Sequence, residues 1–360
     1  MTAITRRMFA GGMISTAVVR SLMPVERALA AGTLPPKSPC GIATTAMGAH
    51  LRGLEGVAKP LRDDPVAYLE YCRSLGAGGV QHAVKTDLVR FKQRLDELGM
   101  YYEGEASLPS SLDQDTAEFE RSIANAAMLG APCVRSVSRP PQGSSGRRYE
   151  SFASYEQFKE WLALSNAIVM KCLPIAEKHK VAIALENHKD RQVDELVAFL
   201  KQASSDYLGA LVDPGNNMSF MEHPEQYVAV LAPYAKACSL KDMGVAPYQD
   251  GYLLSEVPFD TGCTDQRTLF ATLRKHNPRI NAVTELITRD PLKIPVLTDA
   301  YYRSFPAADH HRRDGWMAWV RAHQTALPAV DSLTPVQRFQ LEEDNNRKVF
   351  AWGTAHLTHV

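Results

Sequence analysis

The sequence predicts an α/β fold, a single (β/α)8 TIM barrel with a C-terminal helical extension. From residue 40 onward, eight short apolar runs alternate with longer stretches of helical periodicity. Several of these runs are almost continuously apolar, which is typical of parallel strands buried on both faces. An open doubly wound sheet is the structural rival, but no glycine-rich phosphate fingerprint follows an early strand. We therefore favour the closed barrel and expect no nucleotide cofactor.

The predicted strands and helices follow one another in the order that a barrel requires. The strands are predicted at residues 40–47, 79–84, 101–108, 133–138, 181–188, 208–216, 237–243 and 281–287. The clearest helix lies between the fourth and fifth strands, where Ser154 and Gln157 have the spacing of a capping box. Pro174 should kink this helix near its end. The barrel is therefore predicted at residues 40–290 and the helical extension at residues 291–360.

The first residues of the chain have the features of a twin-arginine export signal. Arg6 and Arg7 precede a mildly apolar stretch at residues 10–19, and residues 28–30 (Ala-Leu-Ala) fit a small-x-small cleavage site. The apolar stretch is about half of the ~20 residues that span a bilayer. We therefore predict a signal peptide at residues 1–31, a periplasmic location and no membrane attachment once the signal is removed.

Composition argues against nucleic-acid and membrane-surface partners. The chain of 360 residues has 40 basic and 40 acidic side chains, so its formal net charge is zero. Its six cysteines include no CxxC pair, which disfavours zinc and thioredoxin-like sites. We expect the cysteines to be small buried side chains, because a domain of this size needs no disulfide bonds.

Charged residues follow the apolar runs at the end where a barrel places its active site. Glu186, Asp213, Lys241 and Glu285 stand at the carboxyl ends of the fifth to eighth predicted strands, and Glu105 lies in the third. A buried carboxylate is costly unless it is paired or bound to a cation, and several together repel one another. Convergent carboxylates therefore suggest an oxygen-ligated divalent ion, Mn²⁺ or Mg²⁺, as the cofactor.

These strand ends resemble the motifs of a known family. Glu186 lies in L-E-N-H, Asp213 in V-D-P-G-N and Glu285 in V-T-E-L. Residues 257–265 resemble a P-x-G-x-G-x-x-D loop before the seventh helix. From about residue 40 to 290, the motifs are similar to those of the xylose isomerase-like barrels, often described as sugar phosphate isomerases/epimerases and related to endonuclease IV. The resemblance implies that Glu186, Asp213 and Glu285 bind a metal ion and that Glu186 and Glu285 are the catalytic pair.

One position departs from the family pattern. The seventh strand of the family often carries His-x-Lys-Asp, whereas this chain has serine at the first of these positions, Ser239, followed by Lys241. Three interpretations remain open. The ion is held by the three carboxylates and water, or it uses His188, or it is absent and the ammonium of Lys241 neutralises the carboxylates in its place. Zn²⁺ is a further option for the ion.

The resemblance implies proton transfer at a carbon beside a carbonyl group. Because phosphorylated sugars are mainly cytosolic, export favours a free sugar, a keto-sugar or a glycoside as the small-molecule substrate. The residues expected to bind it are His188, Asn216, Lys241, Arg135 and Asp260.

A sugar isomerase or epimerase is the leading interpretation of these motifs. The alternatives are a lyase that eliminates across a keto-glycoside, a hydrolase or nuclease, and a periplasmic sugar-binding barrel without catalysis. The C-terminal helices are expected to pack outside the barrel or against a partner chain, which leaves a homo-oligomer open.

Overall fold

The structure is a computed structural model that describes residues 34–141, 143–306 and 310–360, without the side chains of His310 and His311. The predicted export signal and its cleavage site lie outside these residues. Within the described ranges, no helix is both long enough and apolar enough to cross a membrane.

Parallel strands build a barrel at the centre of the described chain. In chain order the strands are β1 (Cys40–Ala43), β2 (Gly79–His82), β3 (Tyr101–Glu105), β4 (Cys133–Ser136), β5 (Ala182–Glu186), β6 (Leu208–Val212), β7 (Ala235–Cys238), β8 (Asp242–Tyr248), β9 (Gly251–Val257), β10 (Ala282–Thr284) and β11 (Leu292–Ile294). Eight of those described strands pair in parallel in the order β10-β1-β2-β3-β4-β5-β6-β7. A parallel bridge between Leu240 and Thr284 joins the two ends of this sheet. The predicted (β/α)8 fold is confirmed.

Helices connect the strands and surround the barrel. They are α1 (Gly48–Arg52), α2 (Pro65–Leu75), α3 (Leu88–Glu97), α4 (Ala117–Met128), α5 (Arg148–Ser151), α6 (Tyr155–His179), α7 (Val193–Ala203), α8 (Pro224–Leu231), α9 (Gln266–His276), α10 (Asp299–Tyr302), α11 (His310–Ala322) and α12 (Pro335–His356). The predicted cap of α6 is present, because Ser154 Oγ accepts a hydrogen bond from the Gln157 N–H, and the helix continues through Pro174. Short 3-10 turns follow β1 and β6, at Thr44–Met47 and Asn216–Phe220.

After β7 the chain leaves the barrel and forms an antiparallel hairpin of β8 and β9, to which β11 adds a third strand. The prediction of one strand at residues 237–243 is therefore wrong. The predicted C-terminal helical extension is present as α10, α11 and α12, and β11 adds a short strand at its start. The break before β8 has a local cause. The carboxylate of Asp242 accepts hydrogen bonds from the N–H groups of Gly262 and Thr264, which fixes the base of the hairpin beside the loop that follows it.

The hairpin, β11, α10 and α11 form what we call the cap. Its apolar side chains form a second hydrophobic cluster with residues that follow β6. Tyr301 donates a 2.7 Å hydrogen bond to the Ser219 carbonyl, and Tyr252 donates to that of Met218. The cap therefore lies over the barrel rim beside β6.

The C-terminal helix α12 packs against the beginning of the barrel. Glu342 Oε1 lies 2.7 Å from His50 Nδ1, and Tyr71 donates to Glu343 Oε2 at 2.6 Å. We call His50, Tyr71, Glu342 and Glu343 the anchor cluster. Asn346 Nδ2 also donates to the Ala46 carbonyl at 3.0 Å, so that polar contacts attach the helix to the segment after β1.

The cysteines are free thiols. Cys40, Cys72, Cys133, Cys172 and Cys238 are buried, and Cys263 is half-buried. The prediction of small buried side chains is confirmed for those five, which pack in the apolar core as other small residues do.

Candidate functional site

Three carboxylates meet at the carboxyl ends of the barrel strands. Glu186 is the last residue of β5, Asp213 directly follows β6, and Glu285 directly follows β10. One oxygen from each lies within 4.8 Å of the others, and all three residues are buried. Parallel strands end at one rim of a barrel, which brings these side chains together. We call Glu186, Asp213 and Glu285 the carboxylate triad.

A lysine ammonium lies between two members of the triad. Lys241 Nζ is 2.7 Å from Asp213 Oδ2 and 2.6 Å from Glu285 Oε2, and the side chain is buried. Gly215 makes room for it, because a Cβ at that position would lie 3.2 Å from Lys241 Cγ and 2.5 Å from Met243 Sδ. The glycine of V-D-P-G-N therefore lets the lysine side chain pass close to the backbone that follows β6.

Arg135, on β4, holds the third member of the triad. Its Nε and Nη2 atoms lie 2.6 and 2.5 Å from Glu186 Oε2. The Nη2 atom is also 3.7 Å from Glu285 Oε1, and Nη1 is 3.5 Å from Glu105 Oε1. Arg135 is predicted to bind substrate, and in the structure its guanidinium is engaged by three carboxylates of the chain.

Asn216 and the turn after β6 orient two of the triad carboxylates. Asn216 Nδ2 donates to Glu186 Oε1 at 2.9 Å and to Asp213 Oδ2 at 2.8 Å. The backbone N–H groups of Gly215 and Asn216 donate to Asp213 Oδ1 at 2.8 and 3.0 Å. The aspartate therefore bonds the backbone of its own turn, a common use of this residue type.

The remaining triad oxygen is bonded from the β1 side of the barrel. Thr45, in the 3-10 turn after β1, donates through Oγ1 to Glu285 Oε1 at 2.5 Å. Each of the triad oxygens thus has at least one donor or cation from the chain within hydrogen-bonding distance. Lys241 and Arg135 supply two positive charges to the three carboxylates.

The spacing of the triad alone could hold one metal ion, but its surroundings do not fit a divalent cation. Such an ion contacts its oxygen ligands at ~2.0–2.6 Å, and Lys241 already occupies the space between Asp213 and Glu285. Serine stands at the position of the family histidine, and Ser239 Oγ is buried without a hydrogen-bond partner among the described residues. His188 is not part of the close group of ligand atoms found in the described chain. The chain itself therefore supplies the positive charge.

Burial and pairing shift the pKa values of this group in opposite directions. Burial lowers the pKa of Lys241, but Asp213 and Glu285 raise it more, so that it lies well above its usual value. Burial raises the pKa of Glu285, but Lys241 and Arg135 bring it well below its usual value. Burial raises the pKa of Asp213 to about 7, although the charge of Lys241 acts to lower it. Lys241 and Glu285 therefore form an ion pair at neutral pH.

Two polar residues from the loop after β5 lie beside the triad. Burial lowers the pKa of His188 to about 3, so its imidazole is neutral, and Nδ1 has no hydrogen-bond partner within the described ranges. Lys189 Nζ donates to Asn216 Oδ1, and burial, followed by the charge of Lys241, lowers the pKa of Lys189 to about 8. His188 is predicted from the sequence. Lys189 and Thr45 are not, although Lys189 directly follows the E-N-H motif.

Asp260 does not join this group. Its side chain is exposed and accepts a 2.6 Å hydrogen bond from Trp352 Nε1 on α12. The predicted substrate-binding residue therefore contacts the C-terminal helix, at a position with a left-handed backbone (φ 65°).

A small polar cavity lies beside Arg135, at the ends of β2, β3 and β4. Its volume is about 90 Å³, and its lining includes Lys85, Glu105, Arg135 and Arg139. The side chains of Glu105 and Arg135 are 18% and 13% exposed, whereas Lys241 and the triad are almost completely buried. This cavity is smaller than the pockets of roughly 300–1,000 Å³ that usually bind small molecules.

Comparison with known proteins places these strands in a family. Residues 69–304, well over half of the chain, match the family described as xylose isomerase-like TIM barrel. The chain belongs to this family. The matched segment of the xylose isomerase-like barrel contains all three members of the triad together with Arg135 and Lys241.

Solved structures with this fold include sugar epimerases. D-psicose 3-epimerase, in the presence of D-fructose, superimposes with a TM-score of 0.53 at 12% identity, covering 88% of this chain and 98% of that chain. For 3-keto-D-glucoside 4-epimerase from E. coli, the TM-score is 0.51 at 12% identity, with 79% of this chain and 100% of that chain covered. At such identities the likeness shows the fold alone.

A decarboxylase is among the sequence relatives. The 3-oxo-isoapionate decarboxylase of Pectobacterium atrosepticum is 26% identical over 120 residues, which are 32% of this chain and 44% of the relative. The aligned part therefore spans less than half of the relative's length.

Proposed function

We propose that the protein is a carbohydrate isomerase or epimerase that moves a proton at a carbon next to a carbonyl group. The observation that carries the proposal is the carboxylate triad with Lys241 and Arg135 at the mouth of a barrel of this family. Burying so many charges together costs stability, and such clusters are typical of active sites. The proposed substrate is a small sugar, keto-sugar or glycoside.

Each residue of the group has a role in the proposed reaction. Glu186 and Glu285 are the acid–base pair: one removes the proton beside the carbonyl group, and the electron pair moves onto the carbonyl oxygen. Lys241 stabilises the oxyanion of the resulting enediolate by its positive charge. The other glutamate returns a proton to the opposite face of the same carbon, or to the neighbouring carbon. Asn216 and Arg135 keep the glutamates in position.

A lyase or decarboxylase is the second candidate, which the named decarboxylase among the relatives favours. Elimination across a keto-glycoside begins with the same proton abstraction. Loss of CO₂ from a 3-oxo acid breaks a C–C bond instead, and its electron pair produces a similar enolate oxyanion. Because Lys241 can stabilise the oxyanion in all these reactions, the products must distinguish them.

The test is an incubation of the purified protein with ketoses, 3-keto-glycosides and 3-oxo sugar acids in D₂O, followed by NMR and mass spectrometry. The expected result is deuterium at the carbon beside the carbonyl group and an isomer or epimer as product. Release of an aglycone or of CO₂ would replace the isomerase proposal by the lyase or decarboxylase one. Binding without deuterium uptake or turnover of any substrate would support a sugar-binding barrel.

We also propose that the protein is exported by the twin-arginine route and acts in the periplasm. The support is the order of Arg6-Arg7, the apolar stretch at residues 10–19 and the Ala-Leu-Ala site. Fractionation of cells that express the full chain tests this. The protein should be periplasmic and shortened, and a variant with both arginines changed to lysine should stay in the cytoplasm at full length. A periplasmic form of that variant would contradict the proposal.

A further inference from the structure

We propose that the ammonium of Lys241 permanently takes the place of a metal ion in this site. The protein is then a metal-free member of a family whose motifs imply a bound metal. This inference goes beyond the proposed reaction, because it concerns which group supplies the positive charge, whatever the substrate is.

The first argument is the position of the ammonium. Lys241 Nζ approaches Asp213 and Glu285 to 2.7 and 2.6 Å, and these two carboxylates come from different sides of the barrel closure. One carboxylate oxygen from each member of the triad lies within 4.8 Å of the other two, so a second cation there would be only a few ångströms from Nζ. Two cations that close repel strongly in a buried site. With Lys241 in this position, an ion that bound Asp213 and Glu285 would have to displace the ammonium.

The second argument is that barrel closure holds Lys241 in place. The preceding residue, Leu240, donates its N–H to the Val283 carbonyl at 2.7 Å and accepts from the Glu285 N–H at 3.0 Å. The carbonyl of Lys241 itself accepts a 2.9 Å hydrogen bond from Gln266 Nε2. Lys241 and Glu285 thus follow two strand ends that are hydrogen-bonded to each other. Moving the ammonium out of the site requires the side chain to leave a buried, backbone-anchored position.

The third argument is the residue two positions earlier. Ser239 and Lys241 lie on the same side of an extended segment, so both point toward the barrel interior. Ser239 is fully buried and its hydroxyl has no hydrogen-bond partner among the described residues. Serine is a poor ligand for a divalent ion, whereas histidine is a good one. The seventh strand therefore lacks the ligand that the family motif provides and keeps the cationic side chain.

The fourth argument concerns what Lys241 can offer a substrate. An ammonium has three N–H donors, and the two carboxylates engage two of them at most. A donor therefore remains for a carbonyl or enediolate oxygen of the substrate. Lys241 can act as the electrophile that a metal ion would otherwise be, while Asp213 holds it in place.

Metal binding tests the proposal without any substrate. The protein is dialysed against a chelator, titrated with Mn²⁺ by isothermal calorimetry and then analysed for metal content. The wild-type chain should retain no stoichiometric Mn²⁺. Lys241→Met, which keeps the length of the side chain and removes its charge, should bind one Mn²⁺ per chain with an affinity raised at least ~100-fold. Adding Ser239→His to that variant should tighten binding further.

Two control variants make the result specific. Lys201→Met removes an exposed lysine from α7 and should stay metal-free, as should Lys241→Arg, which keeps a positive charge. One Mn²⁺ per chain in the wild type would overturn the proposal, and so would a folded Lys241→Met protein that binds none. If Lys241→Met does not fold, the number of Mn²⁺ ions bound per chain of the wild type and of Lys241→Arg still tests the proposal. Every readout here is the content or the affinity of metal. A failure of this inference is therefore distinguishable from a failure of the proposed reaction, which deuterium uptake tests.

Discussion

The carboxylate triad and the anchor cluster both contain buried acidic side chains, but the partners of these side chains differ. In the anchor cluster, Glu342 accepts from the backbone N–H groups of Ala49 and His50 and from the His50 ring. In the carboxylate triad, the partners include Lys241 and Arg135, which are permanently charged. The anchor acids are neighbours on one helix, whereas the triad acids come from three separated strand ends.

This difference indicates that the anchor cluster has a structural role and the carboxylate triad a functional one. Backbone amides and His50 satisfy Glu342, and Tyr71 and the half-buried Arg347 satisfy Glu343, so these carboxylates attach α12 to the barrel with their bonds filled. Burying lysine and arginine with three carboxylates carries a desolvation penalty that apolar packing would avoid. We therefore expect changes in the triad to remove activity and changes in the anchor cluster to remove stability.

The largest effect is expected for Glu285→Gln. The change removes one member of the proposed acid–base pair, so the rate of deuterium uptake into the substrate should fall by about 10²–10⁴-fold. The melting temperature should also fall at neutral pH, because Lys241 and Arg135 lower the pKa of Glu285 and its charge therefore stabilises the folded state. Glu160→Gln, an exposed change on α6, is the control and should leave both quantities unchanged. A large fall in melting temperature with a normal rate of deuterium uptake would show that the triad has a structural role and not a catalytic one.

The opposite pattern is expected for Glu342→Ala. The change leaves the His50 side chain and two N–H groups of α1 without their buried partner, which should cost about 3–5 kcal/mol in free energy of unfolding. Denaturant unfolding measures this loss, and Glu160→Ala is the matched control. Deuterium uptake per folded molecule should stay near that of the wild type. Loss of uptake in the folded variant would show that the anchor cluster contributes to chemistry.

Glu103, a buried acid outside both clusters, sharpens the comparison because its hydrogen-bond partners among the described side chains are neutral. Gln81 and Asn281 donate to it at 3.0 Å each, and burial outweighs them, raising the pKa of Glu103 to about 7. Between pH ~4.5 and 7 the folded state binds the proton more tightly than the unfolded state, so stability should fall as pH rises.

The variant Glu103→Gln should flatten this pH dependence. It should gain roughly 2–3 kcal/mol relative to the wild type at pH 8, measured by denaturant unfolding at several pH values. Gln81 can then turn its otherwise unbonded Oε1 toward the new amide. A wild-type stability that rises between pH 5 and 8, with the same slope in the variant, would contradict the assigned pKa.

The smallest effect is expected from His50 in the anchor cluster. Burial lowers the pKa of His50, but hydrogen bonds and charges of Glu342 and Glu343 raise it above its usual value of 6.5. Its contribution to stability is therefore complete below pH 6.5 and is lost as pH rises through the folded pKa. The melting temperature of the wild type should show this decline, and that of His50→Gln should not. Equal pH profiles would show that His50 does not gain a proton in the folded protein.

The sequence predicted the triad because each member depends on a local pattern. Apolar strand residues precede Glu186, Asp213 and Glu285, and a parallel barrel brings such strand ends to one rim. The same reasoning placed Lys241 next to the carboxylates. These predictions concern position, and the catalytic roles of the residues remain proposals.

The features that the sequence did not predict depend on contacts between segments that lie far apart in the chain. Arg135 pairs with Glu186, 51 positions away along the chain, and Thr45 bonds Glu285 across the junction of β1 and β10. The hairpin of β8 and β9 was missed because its first apolar residues directly continue the run after β7. Asp260 was assigned from a loop motif, but its partner Trp352 lies on the C-terminal helix. None of these pairings has a periodicity that a sequence pattern reveals.

One measurement tests the central claim most directly. Deuterium uptake into a keto-sugar substrate is followed with chelator-treated wild-type protein whose metal content has been measured, and again after adding Mn²⁺. If Lys241 is the electrophile, the rate of deuterium uptake should be the same before and after Mn²⁺ is added. Without added metal, the rate in Lys241→Met should be at least ~100-fold lower than in the wild type. A rate that disappears with the metal and returns with Mn²⁺ would contradict the account.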